Sequence, residues 1–183
     1  MNLFKFTVVL IAALAYSATG LAQKNLLTNG SFEDDFEGWT EYGGRTTPYV
    51  VKEGKNACAI VAGDHSKWLG IHQEVKLPKK AQYMLVSAWY KTDNVVRGKE
   101  AWQGALCRME LLDKNNKKIG TEVELFNLEG DYAWTKGQKA LIIPSEVVKV
   151  KLLFALGFAT GTLFVDDVAV KILTQQEYEV LEQ

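Results

Sequence analysis

The stretch Trp68-Leu69-Gly70-Ile71-His72-Gln73-Glu74-Val75-Lys76-Leu77 alternates with the period of a β-strand. Leu69, Ile71, Val75 and Leu77 fall on one side, and Trp68, Gly70, His72, Glu74 and Lys76 on the other. One face is built for a core, while the second mixes an indole with polar groups. The same pattern recurs at 102–111. There Ala105, Cys107, Met109 and Leu111 oppose Trp102, Gly104, Leu106, Arg108 and Glu110. At 83–91, Met84, Val86, Ala88 and Tyr90 oppose Tyr83, Leu85, Ser87, Trp89 and Lys91.

Working outward from these runs, strands are expected at 49–52, 57–62, 69–77, 83–91, 105–112, 138–143, 148–156 and 162–172. Turn residues separate them, among them Gly54-Lys55-Asn56, Pro78-Lys79-Lys80, Asp113-Lys114-Asn115-Asn116 and Pro144-Ser145. Many short strands at this spacing predict an all-β sandwich. No helical period is sustained before the tail, residues 174–183, where Thr174 and Glu177 form a capping pair for a short helix.

Composition agrees with one folded domain. The chain has 183 residues, 48% of them hydrophobic and 11% aromatic, with 21 Lys+Arg against 22 Asp+Glu. This is too aromatic for a disordered chain. The near-neutral balance offers no broad basic surface, which argues against nucleic acid. Residues 1–22 read as a signal peptide. Lys5 precedes the short apolar run Val8-Val9-Leu10-Ile11-Ala12-Ala13-Leu14-Ala15, and Gly20-Leu21-Ala22 supplies small residues for cleavage. The run is well short of the ~20 residues that cross a bilayer, so the mature chain is expected to have no membrane span and to be secreted, periplasmic or at the cell surface. The folded domain is expected over 23–173. In an oxidising compartment Cys58 and Cys107 either pair or stay as buried thiols, since both lie inside apolar strand patterns.

Faces that mix Trp with Arg, Glu, Gln and His suit sugars. A pyranose offers C–H bonds to an aromatic ring and hydroxyls to planar polar groups. Trp68, Trp89 and Trp102 are the candidate stacking residues, and His72, Arg108 and Glu110 the candidate hydrogen-bonding ones. Trp39 is assigned to the core. Residues 94–103, with Arg97, Lys99, Glu100 and Trp102, form either a rim to this surface or a solvated loop.

Two motifs at the ends of the domain carry a family resemblance. Asn25-Leu26-Leu27-Thr28-Asn29-Gly30-Ser31-Phe32-Glu33 with Gly38-Trp39-Thr40, and Phe164-Val165-Asp166-Asp167-Val168-Ala169-Val170, resemble the opening and closing segments of carbohydrate-binding modules of the family 4, 9 and 22 type. The resemblance implies a galactose-binding-like jelly-roll β-sandwich that recognises a polysaccharide or oligosaccharide and performs no chemistry. It also implies partnership with glycoside hydrolases, here separately encoded, and a structural calcium held by Glu33 and Asp166. In strand phase Asp166 is expected on the inward face with Phe164, Val168 and Val170, where a carboxylate needs a cation or hydrogen bonds. Xylan- and glucan-binding relatives often place an acid in the penultimate strand. Phe154-Ala155-Leu156-Gly157-Phe158 is apolar here, which argues against xylan.

Two other functions fit the same fold. A small secreted glycoside hydrolase would show two close carboxylates, one with a raised pKa. An adhesion protein binding a protein partner would show a flat apolar patch. His65 and His72 have no zinc-ligand spacing, and there is no Gly-x-Ser-x-Gly elbow.

Overall fold

The computed structural model describes residues 23–182, so the expected leader lies outside the described residues. Ten strands and one helix follow in order. They are β1 (Thr40–Tyr42), β2 (Gly44–Thr47), β3 (Ala57–Ala62), β4 (Trp68–Lys76), β5 (Tyr83–Val96), β6 (Gly104–Leu112), β7 (Val123–Leu128), β8 (Gly130–Ile142), β9 (Lys149–Gly157), β10 (Thr160–Leu173) and α1 (Gln175–Leu181). They form two five-stranded antiparallel sheets. The front sheet has the order β1-β4-β9-β6-β7, and the back sheet β2-β3-β10-β5-β8. This is a jelly-roll sandwich.

The core lies between the sheets. Ile71, Val75, Cys107, Met109, Leu152 and Phe154 of the front sheet meet Ile60, Met84, Val86, Leu163, Val165 and Val170 of the back sheet. Trp39 belongs to it, packed between Phe32 and Phe154 at centroid distances of 5.2 and 6.2 Å, with its Nε1–H donated to the Asn29 carbonyl. Gln73 is the polar residue of the β4 inner face, and its amide exchanges two hydrogen bonds with the Thr28 backbone. Cys58 and Cys107 are buried free thiols on opposite sheets, and burial pushes both thiols up.

The two ends of the domain lock together through the motifs that carry the resemblance. Asn25 bridges the Val168 carbonyl and the Val170 N–H, Leu26 N–H reaches the Val170 carbonyl, and Val168 N–H reaches the Gly30 carbonyl. The approach is so close that a Cβ on Gly30 would lie 2.1 Å from the Val168 oxygen. After β10, α1 starts with the full capping box of Thr174 and Glu177, and Tyr178 stacks on Tyr83 at 4.8 Å.

Two expectations change. Residues 49–52 are not a strand. They follow Pro48, and the Lys52 and Glu53 N–H groups go to the Asp166 carboxylate instead of a ladder. Asp166 is not on the inward face either. A bulge between Asp166 and Ala169, with Asp167 at φ +44°, breaks the alternation of β10. Val165, Val168 and Val170 point into the core, whereas Asp166 sits opposite Trp89 on the outer side of the back sheet, roofed by residues 52–53.

Candidate functional site

The register of the front sheet decides what shares its outer face. Trp68, Gly157 and Gly104 form one row, and Tyr42, Gly70, Ala155 and Leu106 the next. His72, Leu153, Arg108 and Glu124 form a third row, and Glu74, Lys151 and Glu110 a fourth. Five of the six expected sugar-binding residues therefore belong to one surface: Trp68, His72, Arg108 and Glu110 on the sheet, with Trp102 on the loop leading into β6. Trp89 does not join them. Its strand pairs with β8 and β10, so it stands on the outer face of the back sheet, with the Lys52 ammonium 4.1 Å above its ring.

In the first two rows Gly157, Gly104, Gly70 and Ala155, with Leu106, make a floor beneath aromatic rings. A Cβ on Gly157 would lie 2.7 Å from the Trp68 indole, so glycine lets that ring lie across β9. Trp68 and Trp102 are 6.4 Å apart and tilted by 31°. Phe158 meets both edge-on, at 6.2 and 5.9 Å. The cluster lies outside the main core, and Trp102 remains 41% exposed. Phe158 sits at φ +50°, a region that non-glycine residues rarely adopt. Its N–H donates to the Lys67 carbonyl, and its own carbonyl is 3.2 Å from His65 Nδ1.

Arg97 builds the rim. Its Nη1 donates to the Ala101 and Gln103 carbonyls and to Asn127 Oδ1, and its Nε to Glu129 at 3.3 Å. Residues 97–103 are thereby pinned, which sets the position of Trp102. Arg108 lies below, paired with Glu122 and Glu124 at 3.6 and 3.3 Å. Glu110 is 3.7 Å from Lys118. Tyr42 stacks on His72 at 5.5 Å, with a 17° angle between the planes. Partial burial, then Lys151, hold the His72 imidazole below its ordinary pKa, which favours its neutral form. A neutral imidazole gives one donor and one acceptor to a ligand.

The sequence reading missed Phe158 and Tyr42. The signal for Phe158 was present, a large aromatic between Gly157 and the Thr160-Gly161 break. Tyr42 lies in a three-residue strand too short to show periodicity.

Glu33 and Asp166 both hold residues 52–56. Asp166 accepts from the N–H groups of Lys52, Glu53 and Asp167, and Glu33 from those of Lys55 and Asn56. Burial pushes the Asp166 carboxyl up against the pull of its three N–H donors, while the Lys55 and Asn56 N–H groups hold Glu33 below its usual value. Glu33 takes both of its N–H donors on Oε1, and Asp166 takes two on Oδ2 and one on Oδ1.

With this geometry in place, solved structures provide the comparison. A family 16 carbohydrate-binding module superposes with a TM-score of 0.58 at 22% identity, covering 80% of this chain and 99% of that one. A family 61 module solved with β-1,4-galactotriose gives 0.56 at 19% identity, covering 82% and 99%. The chain has the jelly-roll fold of carbohydrate-binding modules. The enzymatically active domain of tailspike protein 4 from bacteriophage CBA120 also matches, with a TM-score of 0.69 at 12% identity. The match covers 81% of this chain but only 21% of that one, so the module fold spans about a fifth of the tailspike chain. No protein-family model and no curated protein sequence matches. Among the described residues no helix is long and apolar enough to cross a membrane.

Proposed function

We propose that this chain is a secreted, non-catalytic carbohydrate-binding protein that holds a polysaccharide or oligosaccharide on the outer face of its front sheet. The observation that carries the proposal is the cluster of Trp68, Trp102 and Phe158, set outside the core over a floor of Gly70, Ala155 and Gly157. Rings so placed offer apolar faces to a sugar, and the His72, Arg108 and Glu110 side chains of the adjoining rows offer its hydroxyls partners. The fold shared with carbohydrate-binding modules supports the same reading.

A hydrolytic role has less support. Among the described residues the carboxyl group pushed up is Asp166, and it lies on the other sheet under a loop. On the front face Lys149 holds Glu74 below its ordinary value, which suits an ion pair rather than a general acid.

A glycan array probed with the native chain and with Trp102→Ala tests the proposal. Retention by a defined glycan, lost in the variant, is expected. Retention by none would sink the proposal.

A further inference from the structure

The end of the sandwich remote from the aromatic cluster holds a second feature. A cleft of about 1120 Å³ opens between the β4–β5, β6–β7 and β8–β9 connections. Five lysines line it, Lys76, Lys79, Lys80, Lys114 and Lys149, and no Asp or Glu does. The whole chain carries a net charge of −1, so this is a local concentration of positive charge against the overall balance. Lys149 pairs with Glu74 at 2.8 Å. The other four make no ion pair among the described residues. Lys80 takes φ +67° in a turn closed by the Ala81 N–H and the Pro78 carbonyl. Glycine or asparagine is favoured at such a position, yet a long cation occupies it.

We propose that this cleft receives the anionic groups of an acidic polysaccharide whose chain continues onto the front sheet, an inference that rests on the carbohydrate-binding reading above. Three observations converge on it. The lysines are point charges without the fork of arginine, so they suit single carboxylates spaced along a chain. Pro78, Ile143 and Pro144 give the cleft apolar walls for sugar C–H faces. Lys76 and Lys149 belong at once to the cleft and to the outer rows of the front sheet, so the surface is continuous with the aromatic site. Along β4, Lys76 is eight residues from Trp68, about 26 Å at strand spacing. One extended oligosaccharide reaches from the indoles to the lysines. The lining contains no Trp, Tyr or Arg, the side chains that anchor protein interfaces, which disfavours a protein occupant.

Affinity electrophoresis of the native chain through polygalacturonate, neutral galactan and poly-glutamate tests this, alongside a Lys79→Glu/Lys80→Glu/Lys114→Glu variant. All three lysines are exposed, and an unchanged melting temperature confirms the variant's fold. Native retention by polygalacturonate is expected to exceed that by poly-glutamate and to weaken as salt rises from about 0.05 to 0.5 M. Charge reversal is expected to cut it at least about tenfold and to leave any retention by neutral galactan unchanged. Equal retention of variant and native chain by polygalacturonate overturns the inference. So does retention by neutral glycans alone, which leaves the carbohydrate-binding reading standing. Equal capture by poly-glutamate makes the cleft a general anion site and overturns the glycan assignment. Failure on every glycan, here and on the array, removes both readings.

Discussion

Phe158 owes its place to a backbone conformation that costs free energy. Phe158 is held in the left-handed region by the Lys67 carbonyl on one side and His65 on the other. Such strain persists where the surroundings over-determine it, and it concentrates at binding sites. Phe158→Gly would relieve the backbone but remove the ring that both indoles meet edge-on. The expected outcome is a melting temperature close to native and a clear loss of glycan retention. Loss of stability with retention unchanged would make Phe158 a scaffold residue. In the middle of β10, Asp166 is also fixed by its neighbours. Removing its carboxylate in Asp166→Ala orphans three N–H groups beneath residues 52–53, at a cost of about 1–3 kcal/mol for each one kept from water. Thermal unfolding should show a large drop in this variant. Because N–H groups already hold Asp166 on both oxygens and Glu33 on Oε1, chelation with EDTA should leave the native melting temperature unchanged. A rise of several degrees on adding calcium would show that residues 52–56 rearrange around an ion.

The elements show how far alternation carries a reading and where it stops. In β4, β5 and β6 the pattern placed every side chain on its correct face, because an interior strand buried on one side must alternate or expose its core. Alternation does not name a strand's neighbours. Trp89 resembled Trp68 and Trp102 in its strand, and only the pairing of β5 with β8 and β10 moves it to the opposite face. Asp166 failed differently. The bulge at Asp166–Ala169 inserts a residue, and no composition signal marks it. β1, β2 and β7 escaped because strands of three, four and six residues at sheet edges are too short to show a clear period. The rim was legible as a segment but not as a device. Arg97 reaches two carbonyls of its own loop and Asn127 on β7, so it fixes where Trp102 stands without facing the aromatic floor. Arg97→Ala should loosen residues 97–103. It is expected to weaken glycan retention about as much as Trp102→Ala does, with only a small fall in melting temperature, and Arg97→Lys should not rescue it, because one ammonium cannot make the forked contacts. Hydrogen exchange confined to this loop distinguishes the positioning role from general destabilisation.

At the scale of the whole molecule the two thiols and the acid limb of stability report on how the sandwich is closed. Cys58 and Cys107 face the shared core from opposite sheets, unpaired and with their thiols pushed up by burial. A thiol kept protonated and dry does not react, so iodoacetamide should label neither in the native protein and both after unfolding. Native labelling of either would mean that the sheets part readily. The joint between the chain's ends and residues 52–56 should set the response to acid. Glu33 is held below its ordinary value of 4.5 by two backbone N–H groups. Its contribution is complete above that value and is lost as pH falls through the lower value it has in the fold. Asp166 has the opposite sign. Burial raises it above 3.8, so the folded state holds that proton longer than the unfolded chain does, and the penalty of its buried charge appears as pH rises through the raised value. Glu33→Gln should therefore lower stability at pH 7 and flatten its decline below pH 4.5, while Asp166→Asn should keep the acid decline that Glu33 sets and lose stability where the native group is ionised, since an amide offers one acceptor oxygen where the native carboxylate uses two. Urea titrations of the three proteins between pH 3 and 7 read both slopes. An unchanged acid limb in Glu33→Gln would place the joint's pH response elsewhere in the sandwich.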